Sequence, residues 1–239
     1  MKNLKLLALF IGLGLLMTIA SPSLFAQTHK TTRRKTVSTA PSLLHPASLH
    51  AKAPEVYLVK LHTTKGDFTM KVTRAWAPLG ADRFYNLVEH HFYDGASLFR
   101  VVPKFVVQFG LPADPSIGRA WANANIKDDP VMKSNLTGYV TYAMGGPNTR
   151  TTQVFINLVD NTRLDSMGFA PFGQVVEGME VVQQFYGGYG DHGPDQGRLT
   201  NEGKAYVEKN FPQLDTIITA HVAPTAPAAH PPAKPAPHS

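Results

Sequence analysis

The stretch that most constrains the fold is LFRVVPKFVVQFG, residues 98–110. Two runs of β-prone residues lie on either side of a turn at Pro103, with Arg100 in the first run and Gln108 in the second. Side chains alternate between the two faces of a strand, so the guanidinium and the amide can meet on one wall of a sheet. This pattern predicts a fixed hydrogen-bond donor in a partly dry groove, with no nucleophile, acid or metal ligand beside it.

Short strand patterns dominate the central part of the chain. The predicted strands are Glu55–Thr63, Asp67–Val72, Leu98–Val102, Phe105–Phe109, Tyr139–Ala143, Gln153–Leu158, Gly173–Val176 and Thr216–Ala220. Two segments indicate helices. The first opens at Pro78 and has an apolar stripe of Phe84, Leu87 and Val88, and the second follows Gly178. Many strands and two helices predict a closed β-barrel with helices at its ends.

The beginning of the chain indicates export. Lys2 and Lys5 precede a nearly unbroken apolar run to Ala20, and a small-residue cleavage site ends at Ala26, so residues 1–26 are predicted to be a secretory signal peptide. An uncleaved anchor is the alternative, although about 15 apolar residues fall short of the ~20 that span a bilayer. Cleavage leaves no stable membrane insertion and gives a periplasmic or secreted protein of bacterial type.

Two further segments differ in composition from the central domain. Residues 27–54 are rich in Thr, Ser, Ala, His and Lys and lack any strand or helix period, which predicts a flexible basic linker. Residues 222–239 are rich in alanine and proline, which predicts a disordered tail. The predicted domain spans residues 55–221 and is large enough to fold by core packing alone.

The net charge of +6 belongs to the ends of the chain. All 17 acidic residues lie between Glu55 and Asp215, where 15 Lys and Arg leave that segment near −2. A nucleic-acid-binding domain carries its basic patch on the folded surface, so the composition predicts no nucleic-acid partner. The chain has no cysteine, which excludes thiol catalysis and thiolate metal sites.

Three ordered blocks carry a likeness to a known family. The first is Arg100, Val101, Val102, Pro103, Phe105, Gln108 and Gly110. The second is Ala143-Met144-Gly145-Gly146-Pro147-Asn148-Thr149 with Gln153-Val154-Phe155-Ile156. The third is Leu164-Asp165 with Phe169-Ala170-Pro171-Phe172-Gly173. In this order and spacing they resemble the cyclophilins, and the likeness covers about residues 56–220. It implies a mainly β fold, a closed eight-stranded antiparallel β-barrel capped by two α-helices.

The resemblance implies a cofactor-independent peptidyl-prolyl cis-trans isomerase without a metal. Its partners would be proline-containing polypeptides, and it would act as a monomer that assists the folding of exported proteins. The implied catalytic residue is Arg100. The implied substrate-binding residues are Phe105, Val106, Gln108, Ala143, Met144, Gln153, Phe155 and Leu164. The alternative is a non-catalytic proline-peptide binding module or chaperone with the same fold, although a pure binder has no need of Arg100.

Phe155 also indicates a binding surface without the resemblance. In its strand Val154 and Ile156 make the apolar face, which leaves Phe155 on the polar face between Gln153 and Asn157. An aromatic side chain between two amides is more typical of a binding surface than of a core. For Phe105 both a core and a groove position stay open, because it alternates in phase with buried-type residues.

Three positions depart from the family pattern. Arg163 stands before Leu164, where cyclosporin-sensitive relatives have tryptophan, and Met144 replaces the usual asparagine. The family histidine of the proline pocket has no counterpart, and a one-residue length difference leaves Gly168 and Phe169 as alternatives for its position. Cyclosporin sensitivity is therefore predicted to be weak.

The segment Gly188–Gly193 fits the pattern G-x-G-x-x-G of dinucleotide sites. It follows a predicted helix and leads to Pro194, whereas a dinucleotide site needs a strand before the glycines and a helix after them. The sequence therefore gives this segment no chemical role.

Overall fold

The computed structural model describes residues 42–224. Its strands are β1 (Val56–Thr63), β2 (Gly66–Thr73), β3 (Arg100–Val102), β4 (Val106–Phe109), β5 (Tyr139–Tyr142), β6 (Val154–Asn157), β7 (Pro171–Glu177) and β8 (Ile217–Ala223). Its α-helices are α1 (Pro78–Glu89), α2 (Pro115–Trp121), α3 (Met179–Val182), α4 (Gln196–Glu202) and α5 (Lys204–Asn210). Each of the eight predicted strands is present, with bounds that differ by a few residues.

The eight strands form one antiparallel sheet in the order β3-β4-β6-β5-β7-β2-β1-β8. The sheet curls into a half-barrel, so the prediction of a closed barrel is corrected to an open one. β3 has only three residues, and the two edge strands do not pair. The edges meet only before β3, where Ser97 bridges Thr216 and Leu98 N donates a 2.9 Å hydrogen bond to the carbonyl of Asp215.

The concave side of the sheet holds the main core. β1 and β2 pair over their whole length, and their alternation places Tyr57, Val59 and Leu61 inside with no exposed area. Helix α1 covers this core with the predicted stripe, since Phe84 and Leu87 are also fully buried. Removing such apolar groups from water supplies roughly 25 cal/mol per Å² of stabilisation.

The helices differ more from the sequence prediction than the strands do. The second predicted helix is one turn long, α3. After it the backbone N–H of Gln184 bonds the carbonyl of Val181 (3.0 Å) and that of Tyr186 bonds the Asp215 carboxylate (2.7 Å), so the helical hydrogen-bond pattern is not continued. Helices α2, α4 and α5 were not predicted. Helices α4 and α5 contribute to a second apolar cluster, whose buried members are Phe99, Leu111, Leu199, Tyr206 and Val207. Helix α2 instead packs Trp121 into the main core.

The folded domain extends beyond both of its predicted boundaries, residues 55 and 221. Leu49 is buried in the main core, and the backbone of Ala51 pairs in both directions with the Asn86 side chain (3.0 and 2.7 Å), so residues 42–54 pack on the domain rather than forming a free linker. At the other end Ala223 pairs with Leu58 inside β8, so the predicted tail starts too early at 222. Residues 1–41, with the predicted signal peptide, lie outside the described part, as does most of the tail. Within residues 42–224, no helix is long and apolar enough to cross a bilayer.

Candidate active site

The hairpin of β3 and β4 positions Arg100. Arg100 and Gln108 oppose each other directly across it, and its turn passes through Lys104 in a left-handed conformation (φ 62°). Arg100 Nη1 donates a hydrogen bond of 3.0 Å to Gln108 Oε1. The Arg100 side chain is 28% exposed, so the guanidinium remains accessible from the groove beside it. The predicted meeting of guanidinium and amide on one wall is confirmed.

An apolar groove of about 290 Å³ lies next to Arg100. Its buried floor is Val106, Phe155 and Leu164, and these three form a cluster separate from the main core. The other residues that line it are Arg100, Phe105, Gln108, Ala143, Met144, Arg163, Met167 and Phe169. An apolar hollow with one fixed cationic donor at its lip suits a small apolar ring attached to a polar bond.

A second, more polar groove of about 280 Å³ adjoins the first. Ala143 and Met144 line both grooves, and Gln153 lies in the second. Gln108 Nε2 donates to Gln153 Oε1 at 2.9 Å, and Gln153 Nε2 donates to Gln196 Oε1 at 3.1 Å. A row of amides therefore runs from the arginine along the second groove, where an extended peptide backbone could find hydrogen-bond partners.

The loop that carries Leu164 is held by its neighbour Asp165. The Asp165 carboxylate accepts hydrogen bonds from the Ser134 hydroxyl, from the backbone N–H of Asn135 (2.9 Å) and from Asn135 Nδ2 (2.7 Å). Burial by itself raises the pKa of Asp165, but the hydrogen bonds from Ser134 and Asn135 outweigh it, and the pKa is lower than usual. Asn135 also donates to the carbonyl of Phe169 (2.9 Å), which fixes both ends of the loop.

Two guanidinium groups flank the ring of Phe105. The Arg163 guanidinium carbon lies 4.9 Å from the ring centroid and that of Arg100 lies 5.6 Å away, which are cation–π distances. Arg100 pairs with the carboxylate of Asp191, whose Oδ1 lies 2.7 Å from Nε and 2.6 Å from Nη2. Asp191 belongs to Gly188–Gly193, for which no chemical role is predicted.

The structure brings together the nine residues predicted for the site. Eight of them line the apolar groove and Gln153 lines its neighbour. Phe105 lies in the groove, since β4 begins only at Val106 and the strand alternation does not extend to Phe105. Of the two alternatives for the missing histidine, Phe169 lines the groove and packs on Phe155 with ring centroids 5.8 Å apart.

Sequence reasoning missed Asp191, which lies in the turn before α4, and Gln196, which is the first residue of α4. No local pattern marks either residue as part of a site, because the contacts join positions 91 and 43 residues apart in the chain. Among the described residues that line the apolar groove, none is a serine, cysteine, histidine or carboxylate. The groove can therefore bind and polarise a group, but it offers no nucleophile to cleave one.

Comparisons with known proteins agree with this geometry. A family model for the "Cyclophilin type peptidyl-prolyl cis-trans isomerase/CLD" matches residues 58–202. The chain is 34% identical over 133 residues to the peptidyl-prolyl cis-trans isomerase-like 3 of Neurospora crassa, which covers 52% of this chain and 78% of that protein. It is 32% identical over 143 residues to a peptidyl-prolyl cis-trans isomerase of Acinetobacter baylyi, covering 57% and 74% of the two chains.

A solved structure supports the fold. The crystal structure of a cyclophilin type peptidyl-prolyl cis-trans isomerase from Cryptosporidium parvum matches with a TM-score of 0.53. The match covers 72% of this chain and 99% of the other, at 17% sequence identity. At that identity the likeness bears on the fold alone.

Proposed function

The chain belongs to the cyclophilin-type family of peptidyl-prolyl cis-trans isomerases, and we propose that it rotates X–Pro bonds of exported proteins with Arg100 as its catalytic group. Enzymes of this family act on proline-containing peptides and need no cofactor. The observation that carries the catalytic assignment is the hydrogen bond of 3.0 Å that fixes Arg100 to Gln108 at the edge of the apolar groove.

Arg100 can lower the barrier to rotation about the X–Pro bond. An X–Pro bond rotates over ~18–20 kcal/mol because the proline nitrogen shares its lone pair with the carbonyl. In the twisted state the lone pair returns to the nitrogen, which then accepts a hydrogen bond. A guanidinium N–H aimed at that nitrogen stabilises the twisted state more than either planar isomer, and an arginine stays charged throughout. The catalysis is electrostatic and preorganised.

The floor of the groove holds the proline ring while the preceding residue turns. Val106, Phe155 and Leu164 are 5% exposed or less, so a ring that contacts them leaves water on that side. The amides of Gln108 and Gln153 and the backbone of Ala143 offer partners for the flanking peptide. In this proposal the apolar groove fixes the proline ring, and the second groove binds the flanking peptide.

Export is the second part of the proposal, and it rests on residues 1–26. Their basic start, apolar run and small-residue end support cleavage before Gln27 and a periplasmic or secreted enzyme of bacterial type. Its clients would then be exported proteins that fold past slow X–Pro bonds, and it would work as a monomer without nucleic acid. Mass spectrometry of the protein from the periplasmic fraction tests this, because the account expects a chain that begins at Gln27. An intact Met1 in a cytoplasmic fraction contradicts it.

A conservative substitution tests the catalytic assignment. Arg100→Lys keeps the positive charge but loses the planar fork that can engage Gln108 and substrate together. We expect kcat/KM for an Ala-Pro peptide to fall at least ~tenfold, the effect of losing one strong hydrogen bond in the transition state. Arg119→Lys on the exposed face of α2 is the matched control and should leave kcat/KM unchanged. Equal activity of the two variants contradicts the assignment.

A further inference from the structure

The segment from Gly187 to Gln196 is held tightly against the strand that carries Arg100. A Cβ atom on Gly193 would lie 2.7 Å from the carbonyl oxygen of Phe99, so the segment touches the backbone next to Arg100. Tyr189 packs on Tyr186 and Phe211, with ring centroids 5.1 Å apart in both pairs. A short 3₁₀ turn, Gly190–His192, follows and directs Asp191 at the guanidinium.

All three guanidinium nitrogens of Arg100 have a protein partner. Nε donates to Asp191 Oδ1 at 2.7 Å, Nη2 lies 2.6 Å from the same oxygen, and Nη1 donates to Gln108 at 3.0 Å. Two partners on different edges determine both the position and the plane of a guanidinium. Gln108 alone determines neither, because a single hydrogen bond leaves the group free to pivot.

We propose that Asp191 is a positioning residue, which holds the guanidinium plane of Arg100 in the orientation that the twisted X–Pro bond needs. This proposal rests on the proposed role of Arg100. An arginine side chain has several rotatable bonds, and an unheld guanidinium must lose that freedom in each turnover. Asp191 removes the freedom beforehand, and reacting groups that are already oriented lower the barrier of the chemical step.

Asp191 also brings a negative charge, which acts in the opposite direction. A carboxylate beside the guanidinium reduces the positive potential that the proline nitrogen meets. Asp191 is 60% exposed, so water screens most of that charge, whereas the hydrogen-bond geometry is unaffected by screening. Positioning therefore outweighs the electrostatic loss.

The same segment holds the other end of the amide row. Gln196 accepts from Gln153, which accepts from Gln108, which accepts from Arg100. One segment of the chain thus contacts the row at Asp191 and again at Gln196. Between these two contacts the backbone of Gly193 lies against the carbonyl of Phe99, next to β3.

Two variants of Asp191 separate positioning from charge. Asp191→Ala removes the hydrogen bond to Nε and the ion-pair contact with Nη2, and we expect kcat for an Ala-Pro peptide to fall about three- to tenfold with KM changed less than about twofold. Asp191→Asn keeps an acceptor oxygen without the charge and should retain more than about half of kcat. Glu202→Ala is the matched control, since it removes the similar exposed ion pair with Arg198 (2.8 Å) away from the groove, and it should leave kcat unchanged.

The contradicting results are equally definite. If Asp191→Ala matches the control, or if both Asp191 variants are faster than wild type, the proposal is overturned. The ¹⁵Nε–H signal of Arg100 gives a second measure: its exchange with water should speed up in Asp191→Ala and not in Glu202→Ala. An unchanged signal in Asp191→Ala also overturns the proposal.

A double variant distinguishes this proposal from the role of Arg100 itself. Arg100→Ala combined with Asp191→Ala should be as slow as Arg100→Ala alone, because a positioning residue has nothing left to position. Additive losses would show that Asp191 acts elsewhere. If Arg100→Ala leaves the rate unchanged, the catalytic assignment fails. If Arg100→Ala is slow and Asp191→Ala is not, only the role of Asp191 fails.

Discussion

The two faces of β4 and β6 are similarly buried, but one face forms part of the core and the other forms part of the candidate active site. On the concave face Val107, Phe109, Val154 and Ile156 have no exposed area and belong to the apolar main core. On the convex face Val106, Gln108, Phe155 and Asn157 are 7% exposed or less. Burial therefore does not distinguish the fold from the site.

The difference lies in what covers each face. The concave face is covered by the rest of the sheet and by α1, whereas the convex face is covered by the loop of Leu164 and the segment of Asp191. Loops leave hollows where a sheet or helix would fill the space. The convex face also holds amides, and each is hydrogen-bonded, as a buried amide must be. The candidate active site therefore consists of the apolar groove and the fixed polar groups beside it.

Substitutions of the adjacent β6 residues Ile156 and Phe155 should differ most in their effects on stability and activity. Ile156→Ala cuts a cavity in the main core and should lower the free energy of unfolding by about 3 kcal/mol, with kcat/KM of the folded protein unchanged. Phe155→Leu conserves most of the volume and should cost less than about 1.5 kcal/mol, but we expect kcat/KM to fall about fivefold. Urea unfolding and an isomerisation assay on both proteins test this. Similar profiles for the two variants would erase the distinction between the faces.

The cover of the convex face should depend on pH through Asp165. Its folded-state pKa is lowered, so its stabilisation is present above the unfolded-state value of about 3.9 and is lost as the pH falls through the folded-state pKa. Asp165→Asn should therefore cost about 2 kcal/mol at pH 7, and the difference from wild type should shrink below pH ~4. Denaturant unfolding at pH 7 and pH 3 measures it, with the exposed Glu180→Gln as control. A difference that is the same at both pH values would contradict the account.

Substitution of Arg163 at the edge of the groove is expected to have the smallest effect of the three. The Arg163 guanidinium lies 4.9 Å from the centroid of the Phe105 ring, and the resemblance to the cyclophilins implies that it takes the place of a tryptophan found in cyclosporin-sensitive relatives. Arg163→Trp adds an aromatic anchor without a charge to desolvate, and we expect cyclosporin to inhibit it at concentrations about tenfold lower than wild type. Turnover of short peptides should change less than twofold. Tight inhibition of the wild type would show that the residue before Leu164 does not occupy the tryptophan position.

Strand alternation predicted much of this contrast. It placed Arg100 with Gln108, and it placed Phe155 opposite Val154 and Ile156, because a period of two is a local property of the backbone. It left Phe105 open between core and groove, because Phe105 lies one residue outside β4, where the period does not hold.

The parts that the sequence did not reveal depend on distant partners. Residues 42–54 have no period of their own and are ordered by the side chains of Asn86 and Asp82 on α1. The sheet stays open between β3 and β8 because β3 is short, and no pattern in the sequence predicts that length. Helix α4 did carry a local signal, since Asp195 caps it by accepting from the Arg198 backbone N–H (2.7 Å). Asp195 is therefore the residue from which the start of α4 could be predicted.

The most direct test of the account is a measurement of turnover and binding in one experiment on Arg100→Ala. Exchange NMR of an Ala-Pro peptide reports the cis–trans rate at saturating enzyme, and titration of the same samples reports the dissociation constant. The account predicts a rate about 100-fold lower, with the dissociation constant changed less than about threefold, because the apolar floor of Val106, Phe155 and Leu164 is intact. A wild-type rate in a well-folded Arg100→Ala protein, or a rate loss fully explained by lost binding, would contradict it.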